Sequence, residues 1–492
     1  MANDLLNDTD LYKEEDIRRA KVKALKESGI NPYARRYERT TDILGATKLN
    51  DGDTVATAGR VIFKRVMGKL AFIHIYDVKA KMQVSLGRNE LSEEDYTFFK
   101  QNVDIGDFIG VTGEIYHTHT GEITIRTTSY KLLSKAIKPL PDKFHGIQDT
   151  DLRFRQRYLD LISNEKEREI LLGRSKVIAF IRKFLQDNGF IEVETPIIQS
   201  AVCGASAKPF LTHHNALDKD CNLRIAPETY LKQVIAGGFD RVFEIAKCFR
   251  NEGMDSQHLQ EFTQVEWYAS YWSFEDNIKF FTKFIRALLT EMVGEPRVIK
   301  DGKKYIIPEE INRIDYTKTI NDMLGFNVLD YDDVNELKAE VVKRGLFTAG
   351  ELKDAISLGA VIDYMYKRKI RPYITEPTIL FNYPASLVPL ARPYDDSPKS
   401  LEMFQLLIDG VEMCKSYSEL VDPIIQRETL EEQARNKALG DDEAMDVDED
   451  FVLAMEHGMP PISGFGMGID RLMMMIYDVE SIRDVVFFPI MK

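Results

Sequence analysis

Between residues 54 and 134 the chain alternates apolar and polar positions in five short runs: TVATAGRVIF, LAFIHIYDV, KMQVSL, FIGVTGEIY and GEITIRTTSYKLL. Successive side chains on a strand point to opposite faces, so a period of two marks strands with one face buried. Gly68, Gly87, Gly106 and Gly121 punctuate the runs. Five strands of this kind predict a small closed barrel, with the OB-fold as its natural candidate. Ahead of them, residues 11–28 carry a helical pattern that Gly29 and Pro32 terminate. Behind them the period lengthens. Val177, Ile178, Ile181, Phe184 and Leu185 recur at helical spacing over 174–188, and Gly189 closes that helix. Strand-like and helical stretches then alternate without internal repeat or low-complexity tract. The fold class predicted is α+β: a helical extension over 1–50, a barrel over 51–140 that ends in the loop LPDKFHG (140–146), and a larger domain over 141–492.

Three stretches of the larger domain carry chemistry. RVFEIAKCFRNEGMDSQHLQEFTQVEWYASY, from Arg241 to Tyr271, predicts a hairpin. Its first strand would present Arg250 and Glu252 on one face, and its second Phe262, Gln264, Glu266 and Tyr268. A guanidinium on such a platform can hold a phosphate, because its planar fork matches the oxygens, and a ring can stack on a base. The plain alternative is an ordinary sheet face. SGFGMGIDRLMMMI, from Ser463 to Ile476, alternates Gly464, Gly466 and Gly468 with large residues. As a strand it leaves one face bare for a ligand or another backbone. The helix that follows has Arg471 in its first turn, against the helix dipole, which hints at an anionic ligand. DNGFIEVETPII, from Asp187 to Ile198, predicts a helix end, a short strand, and a stop at Pro196; alone it reads as a connector.

Composition changes this picture little. The chain has 492 residues, 44% of them hydrophobic and 29% charged, as in a globular protein. No apolar signal core opens it, and no run approaches the roughly 18 apolar residues of a membrane span. No membrane attachment and a cytoplasmic location are therefore expected. Cys203, Cys221, Cys248 and Cys414 form no CxxC pair, so neither a zinc site nor a disulfide framework is expected. The net charge of −14 speaks against nucleic acid, but it is unevenly spread. Asp441–Asp450 is strongly acidic and reads as a solvated loop or helix start. Arg18, Arg19, Lys21, Lys23, Lys26, Arg35, Arg36 and Arg39 crowd one stretch. That stretch is either a solvated helix face or a basic patch for nucleic acid.

Together the three stretches resemble the signature motifs of class II aminoacyl-tRNA synthetases: GFIEVETP the first, FRNE with its loop the second, GMGIDR the third. LPDKFHGIQDTDLRFRQRYLDLI, GASAKPFLTHHNALD and LRIAPETYLKQVIAGGFDRVFEI are similar to linker and catalytic sequences of the lysyl-tRNA synthetase family, so the resemblance covers nearly the whole chain. It implies an antiparallel sheet flanked by helices behind an N-terminal OB-fold. It also implies ATP, L-lysine and tRNA(Lys) as partners, Mg2+ as cofactor, and a homodimer with Pro196 at its interface. By matching position, Arg250 would bind the ATP α-phosphate and the lysine carboxylate, Glu252 the adenine amino group, and Phe262 the adenine ring. His258 and Arg471 would hold the γ-phosphate, with Arg250 and Arg471 the catalytic pair. Glu228 would take the substrate α-amino group, Glu266, Tyr268 and Glu419 its ε-ammonium, and Glu412 the magnesium ion. In the barrel, Phe72, Gln83 and Glu122 match anticodon-contacting positions.

Three positions depart from the family pattern. Gln405 stands where the family has a second metal-binding carboxylate, Cys203 where it has glycine, and Lys415 where it has asparagine beside the amino acid. In an extended run Lys415 and Glu419 share a face, and Glu412 joins them only across a bulge. Two arrangements follow: Lys415 reaches the substrate carboxylate or α-phosphate, or it pairs with Glu419 or Glu266 and blocks lysine. An active ligase is the leading expectation; a catalytically weak or non-charging paralogue that binds tRNA is the alternative. An aspartyl or asparaginyl enzyme would need a basic side-chain pocket, whereas Glu266 and Glu419 supply acids.

Overall fold

The computed structural model describes residues 8–141, 147, 149–441 and 443–491. The chain divides into two compact units, Met1–Arg168 and Glu169–Lys492.

In the first unit, helix α1 (Asp8–Glu27) precedes strands β1 (Thr54–Met67), β2 (Leu70–Tyr76), β3 (Lys81–Gly87), β4 (Phe108–His117) and β5 (Ile123–Ser134). The strands close into a barrel in the order β1-β2-β3-β5-β4. Burial alternates as the sequence does: Ala71, Ile73 and Ile75 fill the barrel while Phe72 and His74 face outward. A helix absent from the sequence reading, α2 (Glu93–Asn102), sits between β3 and β4. Ser92 caps it by accepting from the Asp95 amide, and Tyr96 and Phe99 join the barrel core. The basic stretch is split between two uses. Arg18 is buried, pairs with Glu14 and donates to the Ile105 and Ala136 carbonyls, and Lys21 pairs with Asp104. Arg19, Lys23, Lys26, Arg35, Arg36 and Arg39 remain exposed. Of the loop expected to leave the barrel, residues 142–146 lie outside the described residues.

The helix expected from 174 begins at Glu165 (α3, Glu165–Asp187), because Ile170 and Leu171 add a buried turn ahead of the apolar pattern. Gly189, at φ +83°, turns the chain into β6 (Ile191–Glu192). Helix α4 (Glu228–Ala236) leads to β7 (Arg241–Phe249), β8 (Glu261–Ser270) and helix α5 (Phe274–Val293). Then come β9 (Asn312–Asp315), β10 (Thr378–Pro384), β11 (Ser400–Ile408), β12 (Val411–Ser418), helix α6 (Glu449–Glu456), β13 (Ile462–Gly468) and helix α7 (Ile469–Tyr477). These eight strands form one sheet in the order β9-β10-β11-β12-β13-β8-β7-β6. Only the two edge pairs are parallel. One face is sealed by aromatic rings, since Trp267 of β8 stacks on Phe465 of β13 at 3.7 Å, with Phe281 and Phe284 of α5 behind. The indole N–H donates to Asn277, which in turn donates to Ser463, so the polar atoms of this layer are satisfied. The acidic stretch 441–450 is only partly solvated: Met445 is buried, Asp446 pairs with Lys437, and Asp448 caps α6.

Candidate active site

The opposite face of the sheet is open, and a cavity of about 310 Å³ lies on it. β7 and β8 form the expected hairpin, with Phe249 opposite Glu261. Phe262, Gln264, Glu266 and Tyr268 project from β8 into the cavity on one face, as alternation requires. The first strand differs from expectation. It ends at Phe249, so Arg250 and Glu252 line the cavity from the loop beyond it and not from a strand face. Arg250 is fixed there by its backbone N–H, which donates to the Gln260 carbonyl, and its guanidinium lies 5.1 Å from the Phe262 ring. Its Nε is buried with no hydrogen-bond partner among the described residues. His258, in the same loop, is exposed and bonded to Asp255 at 2.9 Å.

β13 is the floor. Gly464 lies between Tyr268 on β8 and Tyr417 on β12. A Cβ there would stand 2.3 Å from Glu419 Oε1 and 2.4 Å from the Tyr268 ring. The bare face is therefore already occupied by the pocket's own side chains. α7 starts from this strand, and its first turn points two neighbours in different directions. Asp470 pairs with Arg174 of α3 and accepts from the Thr263 amide, while Arg471 lines the cavity and donates to the Glu412 carbonyl at 2.9 Å. Burial holds the Arg471 guanidinium below its ordinary range without discharging it.

One end of the cavity is acidic. Glu228 from α4 is 4% exposed, Glu266 6% and Glu419 1%. Glu266 accepts from Gln264 at 2.6 Å and from the Tyr268 hydroxyl at 3.3 Å. Burial, with the charge of Glu228 adding to it, pushes the Glu266 carboxyl up to about 8. Burial raises Glu419 as well. Glu419 sits just behind the lining, over Gly464. Lys232, a residue the sequence reading passed over, enters this group from α4. It is wholly buried, donating to Glu228 at 2.7 Å and pairing with Glu419 at 2.5 Å. Tyr417 donates to the same Glu228 oxygen at 2.7 Å. The spacing Glu228–Lys232 on an otherwise apolar helix face was the signal available in the sequence.

Glu412 and Lys415 both line the cavity from β12, Lys415 standing across Gly466 from Glu266. The bulge needed to bring them to one face exists: Leu406 pairs with Cys414 but Leu407 with Glu412. The ion pair of Glu419 is made with Lys232 and not with Lys415, so the blocking arrangement is absent among the described residues. Gln405, directly across the strand pair from Lys415, accepts from the Tyr383 hydroxyl at 2.7 Å and is buried. Cys203 is buried against Met445 rather than open to the cavity. Among the described residues no three metal-ligating side chains cluster. Glu412 could hold a divalent ion that takes its remaining ligands from phosphate oxygens and water.

On the barrel, Phe72, Gln83 and Glu122 share the outer surface of β2, β3 and the turn into β5. Glu122 bonds His74 at 3.0 Å, Gln83 donates to Thr124 at 2.9 Å, and the His74 ring lies 5.3 Å from that of Phe63. Rings and polar groups thus alternate over a face that can stack bases.

Residues 149–492 match the family described as tRNA synthetases class II (D, K and N), and residues 55–133 match the OB-fold nucleic acid binding domain. The lysine–tRNA ligase of Thermoanaerobacter sp. (strain X514) is 42% identical over 97% of this chain and 95% of its own. The lysine–tRNA ligase of Carboxydothermus hydrogenoformans is 40% identical over 97% of both chains, and that of Bacillus subtilis (strain 168) 37% identical over the full length of both.

Proposed function

The chain belongs to the class II tRNA synthetases, among the lysine–tRNA ligases, and is an ATP-dependent ligase that aminoacylates tRNA(Lys); on that premise we propose how its residues share the work. The acidic end of the cavity takes lysine. Glu228 receives the α-ammonium, Glu266, Glu419 and the Tyr268 hydroxyl receive the ε-ammonium, and Arg250 holds the carboxylate. The observation that carries this is the charge count: three buried carboxylates share one buried ammonium. Two further cations at lysine's spacing complete the balance that burial demands.

ATP lies across the open end, its adenine stacked on Phe262 with the amino group on Glu252, and its phosphates held by Arg250, His258 and Arg471. Glu412 would hold a Mg2+ ion bound with the nucleotide, and the ion would supply neutralisation of phosphate charge. Arg250 brings the lysine carboxylate and the α-phosphate to one guanidinium, so attack on phosphorus becomes an intramolecular step. Arg250 and Arg471 stabilise the charge that develops as pyrophosphate leaves. The terminal ribose hydroxyl of tRNA then takes the lysyl group, and AMP departs. Lys415 reaches toward the substrate carboxylate or α-phosphate and adds to Arg250.

The barrel reads the anticodon through Phe72, Gln83 and Glu122, within a functional division of 1–50, 51–140 and 141–492. Two copies meet around Pro196; Ile191, Ile197 and Ile198, each 43–54% exposed, support that surface. No helix among the described residues is long and apolar enough to cross a membrane, and the cytoplasm, where tRNA, ATP and lysine occur together, is the proposed location. Lysine-dependent ATP–pyrophosphate exchange, run against a panel of amino acids, tests the assignment. Lysine is expected to dominate; exchange with aspartate and none with lysine would overturn it.

A further inference from the structure

Among the described residues Lys232 is the one buried cation of the acidic end, and it does not line the cavity. Its Nζ lies 2.7 Å from Glu228 Oε1 and 2.5 Å from Glu419 Oε2, so a single nitrogen ties a carboxylate on α4 to one that follows β12. Around it stand the Tyr417 ring at 5.8 Å and the Phe451 ring of α6 at 5.5 Å, which leave it no solvent. Tyr417 donates to the same Oε1 of Glu228, so both donors hold that oxygen. Oε1 of Glu419 has no hydrogen-bond partner among the described residues and lies over Gly464 beside the Tyr268 ring. An ammonium in this position does two things. It fixes the separation of two carboxylates that would otherwise repel each other, and it cancels one of the three negative charges that Glu228, Glu266 and Glu419 can carry.

We infer that Lys232 is a specificity-determining positioning residue, which sets the spacing and the net charge of the acidic end so that it accepts an amino acid with two ammonium groups at lysine's separation. The inference rests on the assignment of Glu228 and Glu419 to the two substrate ammoniums. Lys232 itself touches no substrate. Without it, three uncompensated carboxylates face two cations. The empty pocket then takes up a further proton, and Glu228 and Glu419 are no longer held at one distance. A diamino acid with a shorter chain loses its disadvantage.

The test is pyrophosphate exchange by the full-length enzyme with L-lysine and with L-ornithine, in the wild type and in Lys232→Met. The variant is expected to raise KM for lysine at least tenfold, to leave KM for ATP within twofold, and to reduce the lysine-to-ornithine preference at least fivefold. A role in folding alone would lower both amino acids together, and unchanged preference would overturn the inference. If the single variant does not fold, Lys232→Met/Glu419→Gln removes the ammonium with one carboxylate and is compared with Glu419→Gln. The double variant should discriminate ornithine less well than the single one, and equal discrimination would overturn the proposal. Absence of lysine-dependent exchange in the wild type would instead refute the assignment of the cavity to lysine, so the two failures are distinguishable.

Discussion

The ionisation of Glu266 gives the sharpest prediction, because binding and stability move in opposite directions with pH. Its carboxyl is pushed up to about 8 by burial and the neighbouring Glu228. At pH 7 roughly nine empty sites in ten therefore hold it protonated, and ionising it costs about 1.4 kcal/mol. Lysine needs the carboxylate form, since a neutral acid gives its ammonium only a weak partner. Facing Glu266 are Gln264, Tyr268, Glu228, Glu244 and Arg250, of which Glu228 and Glu244 raise it and Arg250 and Tyr268 lower it. Lysine affinity should rise about tenfold per pH unit from pH 6 and level off near 8, with about one proton released per lysine bound at pH 7. For stability the sign reverses. An unfolded glutamate titrates near about 4.3, so between that value and 8 the folded protein binds the additional proton, and stability falls as pH rises through this window. Glu266→Gln should flatten both trends while weakening lysine binding at pH 8. The measurements are KM for lysine at saturating ATP from pH 6 to 9, calorimetry in buffers of differing ionisation enthalpy, and thermal unfolding over the same range. A KM that is flat from pH 6 to 8 with no proton release would refute the reasoning.

Gly464→Ala places a methyl group 2.3 Å from Glu419 and 2.4 Å from Tyr268, an overpacking expected to cost about 1–3 kcal/mol. KM for lysine should rise at least fivefold while KM for ATP stays within twofold, and an unchanged lysine KM would remove Gly464 from the site. Phe72→Ala in the full chain should weaken binding of a lysine-tRNA anticodon stem-loop by roughly the 1–3 kcal/mol of one stacked base, measured by filter binding at fixed salt, and equal affinity would place Phe72 outside the interface. Lys415→Asn should lower the exchange rate or leave it nearly unchanged with lysine still preferred. A tenfold gain in lysine affinity, about 1.4 kcal/mol, would make Lys415 an internal blocker.

Much of this protein was legible where structure follows a short sequence period. The barrel strands and the β7–β8 hairpin follow from alternation alone, and the bare face of β13 from glycine spacing. Helix α2 was hidden because its ten residues lie between two strands and bury only Tyr96 and Phe99 into another element's core. The end of β7 was misplaced by three residues, since Arg250 and Glu252 share a parity that suggests a continuing strand, whereas the strand ends at Phe249 and the backbone partner of Arg250, Gln260, belongs to the returning loop. Strand order across the sheet was not legible, since β13 inserts between β12 and β8 from nearly 200 residues beyond β8. Lys232 was missed for a related reason. Its helix advertises only a pairing with Glu228, while its second partner, Glu419, is distant in the chain.

The glycine floor fixes where this protein can change its choice of amino acid. β13 contributes almost no side-chain lettering to the acidic end, so what the pocket recognises is spelled out by the strands on either side of it, by Glu266 and Tyr268 on β8 and by Tyr417 and Glu419 on and beyond β12. An altered specificity reached by mutation would have to rewrite those two columns together, because each reads the ligand across a shared blank between them. A single added methyl on that blank tells no new amino acid from the old one; it only jams the two columns apart.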